Sequence, residues 1–403
     1  MSTEIWDATN KLDSWIERNG WAGYDPYDIK ELPTVIKITE LGNRNLFFTL
    51  VRECVFEIFY SFPTISREIL GVKRSINPKG MGLLAKAYLN LYQIIKDEKY
   101  LNKSKECLKW LELNCSQGYA GKCWGYPFNW QSKEFIPKGT PSGVVTSIVG
   151  ESFWSFYNVT KRKEYLEDCK SICKFLMNNL NLHKIDNTHI CFSYTPITHD
   201  HIHNANLLVA EFLMKIGTET NNQEYIDCAL KAMNYSLSYQ NQDGSFYYIG
   251  PPDIVKHWID HYHTGFVIRS LYSIFKITRD KDLLIKLKKC YEHYVTNFFK
   301  NNVIPKFQPN RIYPIDIHSC SEAIICLSEL SEKFSEGREL AKNVANWTID
   351  NMQDKEGHFY HAKRKSRFTQ QIFTAKIPYM RWGQAWMLLA LSTLLNSLNC
   401  GES

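Results

Sequence analysis

The sequence predicts an all-α fold, an (α/α)6 toroid of six helical hairpins with short β-like segments in the loops. Three observations carry this. A polar, aromatic stretch leading into an apolar helix recurs six times, with starts at Lys79, Pro141, His203, His263, His318 and Arg381 spaced 55–63 residues apart. An amphipathic second helix follows each of the first five starts, and one more opens the chain, so both sets number six. The last apolar helix, RWGQAWMLLALSTLLNSL, uses up the chain. Internal periods of this size mark repeat architectures in which each unit is one supersecondary element. An open α-solenoid has shorter periods and shorter loops, so the long aromatic loops favour closure into a ring.

The elements follow in order. WDATNKLDSWIERNG is the first outer helix, and residues from about 36 to 70 form a helical insertion outside the repeat. The inner helices include GMGLLAKAYLNLYQII and NANLLVAEFLMKI. The other outer helices are EKYLNKSKECLKWLEL, KEYLEDCKSICKFLMNN, QEYIDCALKAMNYSLSY, KDLLIKLKKCYEHYVTNFF and GRELAKNVANWTIDNM, each with apolar residues three and four apart and hence one buried face. After several outer helices a glycine or Asn-Asp turn leads into an aromatic stretch (AGKCWGYPF, DGSFYYIG, EGHFYHAK) that reads as a brief strand.

At 403 residues the chain exceeds the usual domain size, yet toroids run long as one unit, so a single domain over 1–403 is expected. No run of eighteen apolar residues occurs, which predicts no transmembrane segment, and the polar start MSTEIWDATNKLDSW has no leader character. A cytoplasmic protein is the expectation. Most of the 12 cysteines fall on apolar helix faces, among them Cys107, Cys169, Cys173, Cys228, Cys290 and Cys326, which suits reduced packing. The net charge of +6 comes without a basic stripe; it favours acidic ligands weakly and gives no sign of nucleic acid.

Rarer residues collect where the inner helices begin. There the free N–H groups and the positive dipole ends converge, which suits a hydroxyl-rich or anionic ligand. His203 with Asn204, Asp260 with His263, Asp316 with His318, and Arg381 with Trp382 come from four repeats at equivalent positions. Aromatic residues crowd the same loops, including Tyr24, Trp124, Tyr126, Trp258 and Trp382. Sugar rings carry one apolar C–H face and a hydroxyl rim, so aromatic platforms beside carboxylates, amides and histidines suit a carbohydrate.

The motifs Gly23-Tyr24-Asp25-Pro26-Tyr27-Asp28, Trp124-Gly125-Tyr126-Pro127, Pro137-Lys138-Gly139-Thr140-Pro141, His203-Asn204-Ala205-Asn206, Trp258-Ile259-Asp260 with His263-Thr264-Gly265, Tyr313-Pro314-Ile315-Asp316-Ile317-His318-Ser319 and Pro378-Tyr379-Met380-Arg381-Trp382-Gly383-Gln384 run almost the length of the chain. In them the chain resembles a family of six-hairpin glycosidase-like α/α-toroid proteins associated with surface-polysaccharide biosynthesis. The resemblance implies a toroid that makes or trims an exopolysaccharide, capsule or related glycan. Its partners would be a carbohydrate or lipid-linked oligosaccharide, together with polysaccharide-assembly proteins.

Three readings use these residues differently. Glycoside hydrolysis needs two carboxyl groups. Asp260 and Asp316 are the first candidates, with Asp25 or Asp28 as substitutes; Trp258-Ile259-Asp260 also resembles the Trp-hydrophobic-Asp of unsaturated glucuronyl hydrolases. Epimerisation or lyase-type β-elimination needs a base near neutral pKa and a donor for the enolate, roles suited to His203, His263 or His318 with Arg381. N-acylglucosamine 2-epimerases share the toroid and catalytic histidines without matching these motifs. A glycan-binding or scaffold protein needs neither set. Hydrolysis is ranked first, with Asp260 as acid/base, His263, Asp316, His318 and His203 beside it, and Asn204, Arg381, Trp124, Tyr126, Trp258, Trp382, Tyr24 and Asp25 binding substrate. Arg381 is the expected contact for a uronic carboxylate.

No cofactor is expected, since no glycine-rich phosphate loop precedes a helix. Nor is a metal: Cys320 lies near His318, but Cys123 is the one other loop cysteine weighed for a zinc site. The acidic motif of toroid terpene cyclases is also missing.

Overall fold

The computed structural model describes residues 3–253, 258–366 and 369–399. Helix α1 (Thr3–Asn19) is followed by three helices of the insertion, α2 (Pro33–Gly42), α3 (Leu46–Ser61) and α4 (Pro63–Ile69). Then the repeat begins: α5 (Pro78–Ile95), α6 (Glu98–Leu113), α7 (Gly143–Thr160), α8 (Lys163–Asn178), α9 (His203–Thr220), α10 (Gln223–Ser238), α11 (His261–Thr278), α12 (Lys281–Asn297), α13 (Ile317–Leu330) and α14 (Glu336–Met352). A π-helical segment, Met380–Ala385, leads into α15 (Trp386–Asn399). The first five inner helices start within two residues of the positions expected from the sequence, and the π-helical segment that leads into the sixth starts one residue before Arg381.

Helices α5, α7, α9, α11, α13 and α15 pack in that order, and α15 returns to α5, so the inner ring is closed. Each is backed by the outer helix that follows it. The exception is α15, whose outer partner is α1 from the other end of the chain. The amide of Gln353 fixes this closure by donating to Ala8 O and Gly357 O. The expected (α/α)6 toroid is the fold observed.

Burial separates the two rings. Helix α13 buries 13 of its 14 residues, whereas α14 buries six of 17, at positions 337, 341, 344, 345, 348 and 352, a single stripe. A common device ends α5, α7, α9 and α11. Lys96, Lys161, Asn221 and Arg279 adopt φ of 52–61°, the left-handed cap that closes the last turn, and the outer helix starts two residues later. Non-glycine residues hold this conformation at a cost of order 1 kcal/mol each, which the packing of both helices outweighs.

The aromatic stretches make less strand than the sequence suggests. Residues 120–128 and 243–250 each form one isolated bridge, Gly125 with Pro141 and Ile249 with Ile202. Their backbone groups bond to loops instead, as Tyr248 N–H does to Trp258 O and His203 N–H does to Tyr248 O. Short antiparallel hairpins pair Trp130–Gln131 with Phe135–Ile136, Leu182–Lys184 with Ile190–Phe192, and Phe299–Lys300 with Ile304–Pro305. A three-stranded sheet joins Ile315–Asp316, Ala362–Lys365 and Ile372–Ala375.

The 36–70 region is helical, as expected, but α3 buries no residue. Leu46, Phe47, Leu50, Ile58, Phe62, Ile65 and Ile69 lie 55–77% exposed along one stripe of α3 and α4. No described helix is long and apolar enough to cross a membrane.

At mid-ring the inner helices are joined by charge. Lys86 of α5 lies 4.0 Å from Glu151 of α7, which is 2.7 Å from Lys215 of α9. Lys215 also pairs with Glu211 at 2.7 Å, and Glu211 accepts from Ser270 Oγ of α11 at 2.8 Å. The neighbouring Arg269 pairs with Glu329 (2.9 Å) and Glu322 (3.0 Å) of α13, and Glu329 returns to Lys86 at 3.9 Å. All of these residues except the fully buried Glu322 line a cavity of about 490 Å³ that runs toward the C-terminal ends of the inner helices.

Candidate functional site

A second cavity, about 470 Å³, occupies the end where the inner helices begin. The two volumes are nearly equal, so size does not choose between them. Chemistry does: the far cavity is lined by matched ion pairs, whereas this one gathers histidines, tyrosines, the carboxylates of Glu134, Asp200 and Asp253, and a buried lysine with no ion pair among the described residues.

Five tyrosines wall it: Tyr27 from the first loop, Tyr126 from the loop before α7, Tyr194 and Tyr248 from the loops flanking α9 and α10, and Tyr262 from the first turn of α11. Tyr126 stacks on Phe128 with centroids 5.3 Å apart, and its hydroxyl lies 3.4 Å from that of Tyr194. Burial pushes these phenols above their ordinary range, so all five keep their protons and present hydroxyl donors.

The aspartates of the expected site serve the helix ends. Asp260 is the N-cap of α11; its carboxylate accepts from His263 N–H (3.0 Å), the His263 ring at Nδ1 (2.7 Å) and Trp258 Nε1 (2.6 Å). Burial pushes this carboxyl up, but the charge and hydrogen bonds of His263 and Trp258 outweigh burial and hold it below the usual range. Asp316 is the N-cap of α13 and accepts from His318 N–H and Trp382 Nε1, both at 2.8 Å. Burial pushes Asp316 up to about 6. Neither aspartate lines the cavity; each orients a neighbour that does, His263 for one and Trp382 for the other.

His263 and His318 face the cavity from adjacent inner helices. Tyr262 touches both rings, with centroids 4.2 Å from His263 and 4.7 Å from His318. His318 is packed by Trp382 (4.4 Å) and Trp386 (4.8 Å), and its buried Nδ1 has no hydrogen-bond partner among the described residues. Burial, then the charges of Lys79 and Arg381, pushes its pKa well down, so the ring is neutral.

Arg381 enters through the π-helical turn, a feature often found at functional sites. Asp25 grips it with two hydrogen bonds of 2.6 Å, both groups being buried. The approach is close enough that a Cβ at Gly23 would meet Met380 Cβ at 2.4 Å. From α4, Arg67 donates to Asp28 (2.8 Å) and to Asp25 O (2.8 Å), tying the insertion to the same loop.

Of the residues expected from the sequence, Asn204, His263, His318, Arg381, Tyr126 and Trp382 line the cavity. His203, Asp260, Asn204 and His263 also border a void of about 10 Å³ beside it; His203 is packed against Tyr235 and Phe246, and burial pushes its pKa down to about 4. Trp258 stands behind Asp260 as its hydrogen-bond donor, and Tyr24 lies under the Arg67 and Arg74 guanidinium groups. Two expectations need correction. Trp124 is no sugar platform: it is fully buried, stacked on Phe153, with its indole donating to Leu111 O. Asp25 is no substrate contact, because both its oxygens are committed to Arg381, with Asn77 and Tyr27 N–H as further donors.

The cavity also contains residues not singled out from the sequence as site candidates: Lys79, Asp200 and Tyr248. Lys79 sits at an inner-helix start, where the repeat itself could have flagged it. Asp200 precedes α9 in a run of histidines and has no such periodic signal.

No protein-family model matches the chain, and no curated protein matches it in sequence. Solved structures do match it in fold. A GH76 α-mannanase from Bacteroides thetaiotaomicron aligns with a TM-score of 0.62 and 15% identity over 82% of this chain and 88% of its own. A sugar epimerase from a ruminal bacterium gives 0.62 and 13% over 81% and 90%. An unsaturated glucuronyl hydrolase specific for heparin gives 0.60 and 15% over 82% and 89%. The fold is the six-hairpin glycosidase-like toroid. At such identities the likeness extends to the fold alone.

Proposed function

We propose that the protein is a carbohydrate-active enzyme that moves a proton at a sugar carbon, as an epimerase or a lyase does. The observation that supports this most is the lining of the cavity, where two histidines converge while Asp260 and Asp316 are turned away as helix caps. This reverses the ranking drawn from the sequence, because the two aspartates expected to flank the bond in hydrolysis are the ones turned away. Aromatic walls with hydroxyl edges suit a sugar ring, and the toroid is shared with a mannanase and a sugar epimerase.

In this reading His318, neutral at rest, is the base. Negative charge on a substrate bound beside Lys79 and Arg381 would offset the cations that, with burial, hold its pKa down, and bring it toward the working range. His318 removes a proton from a carbon beside a carbonyl; the C–H electron pair becomes the C=C bond of an enediolate and the carbonyl oxygen takes the charge. Tyrosine hydroxyls and Asn204 stabilise that oxygen. His263, oriented by the hydrogen bond from its Nδ1 to Asp260, returns a proton to the opposite face of the same carbon, which inverts it. Expulsion of a β-oxygen substituent instead would break the chain and leave a double bond. Neutral His318 beside carboxylate-held His263 gives two like side chains opposite roles through their environments.

Hydrolysis keeps specific support: Asp200, Asp253 and Glu134 line the cavity, and burial pushes the Asp200 carboxyl up, as a general acid requires. The test is mass spectrometry of acidic and neutral oligosaccharides incubated in D2O with wild-type protein and the His318→Gln variant. Deuterium entering at carbon without cleavage, or a new unsaturated end, supports proton transfer, and His318→Gln should lower that turnover at least about 100-fold. Cleavage with addition of water establishes the hydrolase instead. Binding without turnover leaves a glycan-binding or scaffold protein.

A further inference from the structure

The cavity wall carries Glu134, Asp200 and Asp253 beside Lys133, Arg381 and Lys79, and Lys79 is the buried cation among them without an ion pair to any described residue. Arg381 is neutralised by Asp25, Arg67 by Asp28, and Asp260 faces His263. Lys79, from the first turn of α5, lines the cavity at 4% exposure, and no carboxylate of the described residues pairs with it. Its ammonium lies over the rings of Trp386 (5.4 Å) and Phe266 (5.6 Å), which provide weak cation–π attraction, and the nearby carboxylates Asp25 and Glu322 act on it through space without forming an ion pair. The same cavity holds two further incomplete groups, Asn204 Oδ1 and His318 Nδ1, both buried without a partner among the described residues. A buried cation without a partner is costly, and costs of this kind are met when a ligand supplies the missing charge.

We propose that Lys79 is the anion contact of this cavity and that its ligand is a sugar carrying a carboxylate, with Asn204 and His318 receiving the sugar's hydroxyl groups. The proposal rests on the carbohydrate reading above and narrows it to acidic saccharides. It also moves the expected carboxylate contact from Arg381 to Lys79, because Arg381 is already bound to Asp25 at both Nε and the second guanidinium nitrogen. Burial, then the charge of Arg381, pushes the Lys79 amine down to about 7. A carboxylate at Nζ would hold the proton on, so the anion and the lysine charge stabilise each other.

The test is saturation-transfer NMR and calorimetric titration of the full chain. Uronate oligosaccharides (galacturonate, glucuronate and mannuronate series) are compared with neutral ones (mannose, galactose and glucose series). The proposal expects acidic members to bind at least tenfold more tightly than neutral ones. Lys79→Met should abolish that ratio while leaving any neutral binding in place, and Lys79→Arg should restore part of it. Because Lys79→Met removes an unpaired buried charge, its melting temperature should equal or exceed that of the wild type. Equal binding of acidic and neutral sugars, or an acidic preference surviving in Lys79→Met, overturns the proposal and leaves the carbohydrate reading standing. Failure of every saccharide to bind overturns both.

Discussion

Arg381 and Asp25, 356 positions apart in the chain, meet through two buried hydrogen bonds of 2.6 Å. The contact fastens the first loop to the start of the last inner helix, at the seam where a ring built from a linear chain has to close. It also cancels the charge of a guanidinium stacked over Trp382 (4.9 Å) and Tyr126 (5.3 Å) on the wall of the cavity.

Asp25→Asn leaves that guanidinium buried without its counter-ion. The expected loss is about 3–5 kcal/mol of unfolding free energy, measured by urea denaturation. Pairing it with Arg381→Met should recover part of the loss, because the double variant has no lone charge to bury. A double variant less stable than Asp25→Asn alone would contradict the assignment.

Stability should fall in mild acid. Burial pushes His203 down to about 4, His261 and His361 to about 3, and His318 well down. Each is neutral in the folded chain, while its unfolded counterpart takes a proton near 6.5. Below pH 6.5 the unfolded state therefore binds more protons, and each histidine contributes a loss of about 1.4 kcal/mol per pH unit until its folded value is reached. Burial also raises Asp316 to about 6 and Glu322 to about 7, and these work the other way, since the folded chain takes up their protons first. Burial lowers His293 and His358 as well and raises Asp28, Glu112 and Asp200, so six histidines oppose five carboxyls. Glu329, pushed up by burial but held down at about 2 by the charges of Arg269 and Lys86, adds to the loss in acid. Lys79, pushed down to about 7 by burial, loses its proton in the folded chain between pH 7 and 8 while the unfolded chain keeps it. Urea midpoints should therefore rise slightly from pH 7 to 8 and drop steadily from 6.5 toward 4; a midpoint that rises on acidification below 6.5 would refute the neutral-histidine account.

The insertion and the core should respond oppositely to substitution. Phe47→Ser with Leu50→Ser touches a helix face that covers nothing, so the unfolding free energy should stay within about 0.5 kcal/mol of wild type. Trp124→Ala opens a cavity in the core and should cost about 3–5 kcal/mol. Thermal unfolding of the two variants compares them directly.

The architecture was legible because helix starts and amphipathic stripes are local signals. The outer helix expected at EKYLNKSKECLKWLEL is α6 residue for residue. The site was legible only in its location. Asp260 and Asp316 occur where carboxylates either cap helices or perform catalysis, and the same residue type serves both, so the sequence could not say that they cap. Trp124 reads as a loop aromatic, yet its loop turns inward against α7, and an inner helix buried on all sides has no polar face to show which way its neighbours point. The pairing of Asp25 with Arg381 depends on closure of the whole ring, which no window of sequence contains.

The charged belt at mid-ring has a topological property that separate ion pairs lack. Running from Lys86 through Glu151, Lys215, Glu211, the Arg269–Ser270 step and Glu329 back to Lys86, it has no free end. A circuit cannot be divided into two bodies by one break; any motion that parts the toroid into halves has to sever it twice. Breathing by halves is thereby penalised at the waist, and the easier freedom is left to the loops around the tyrosine-walled mouth.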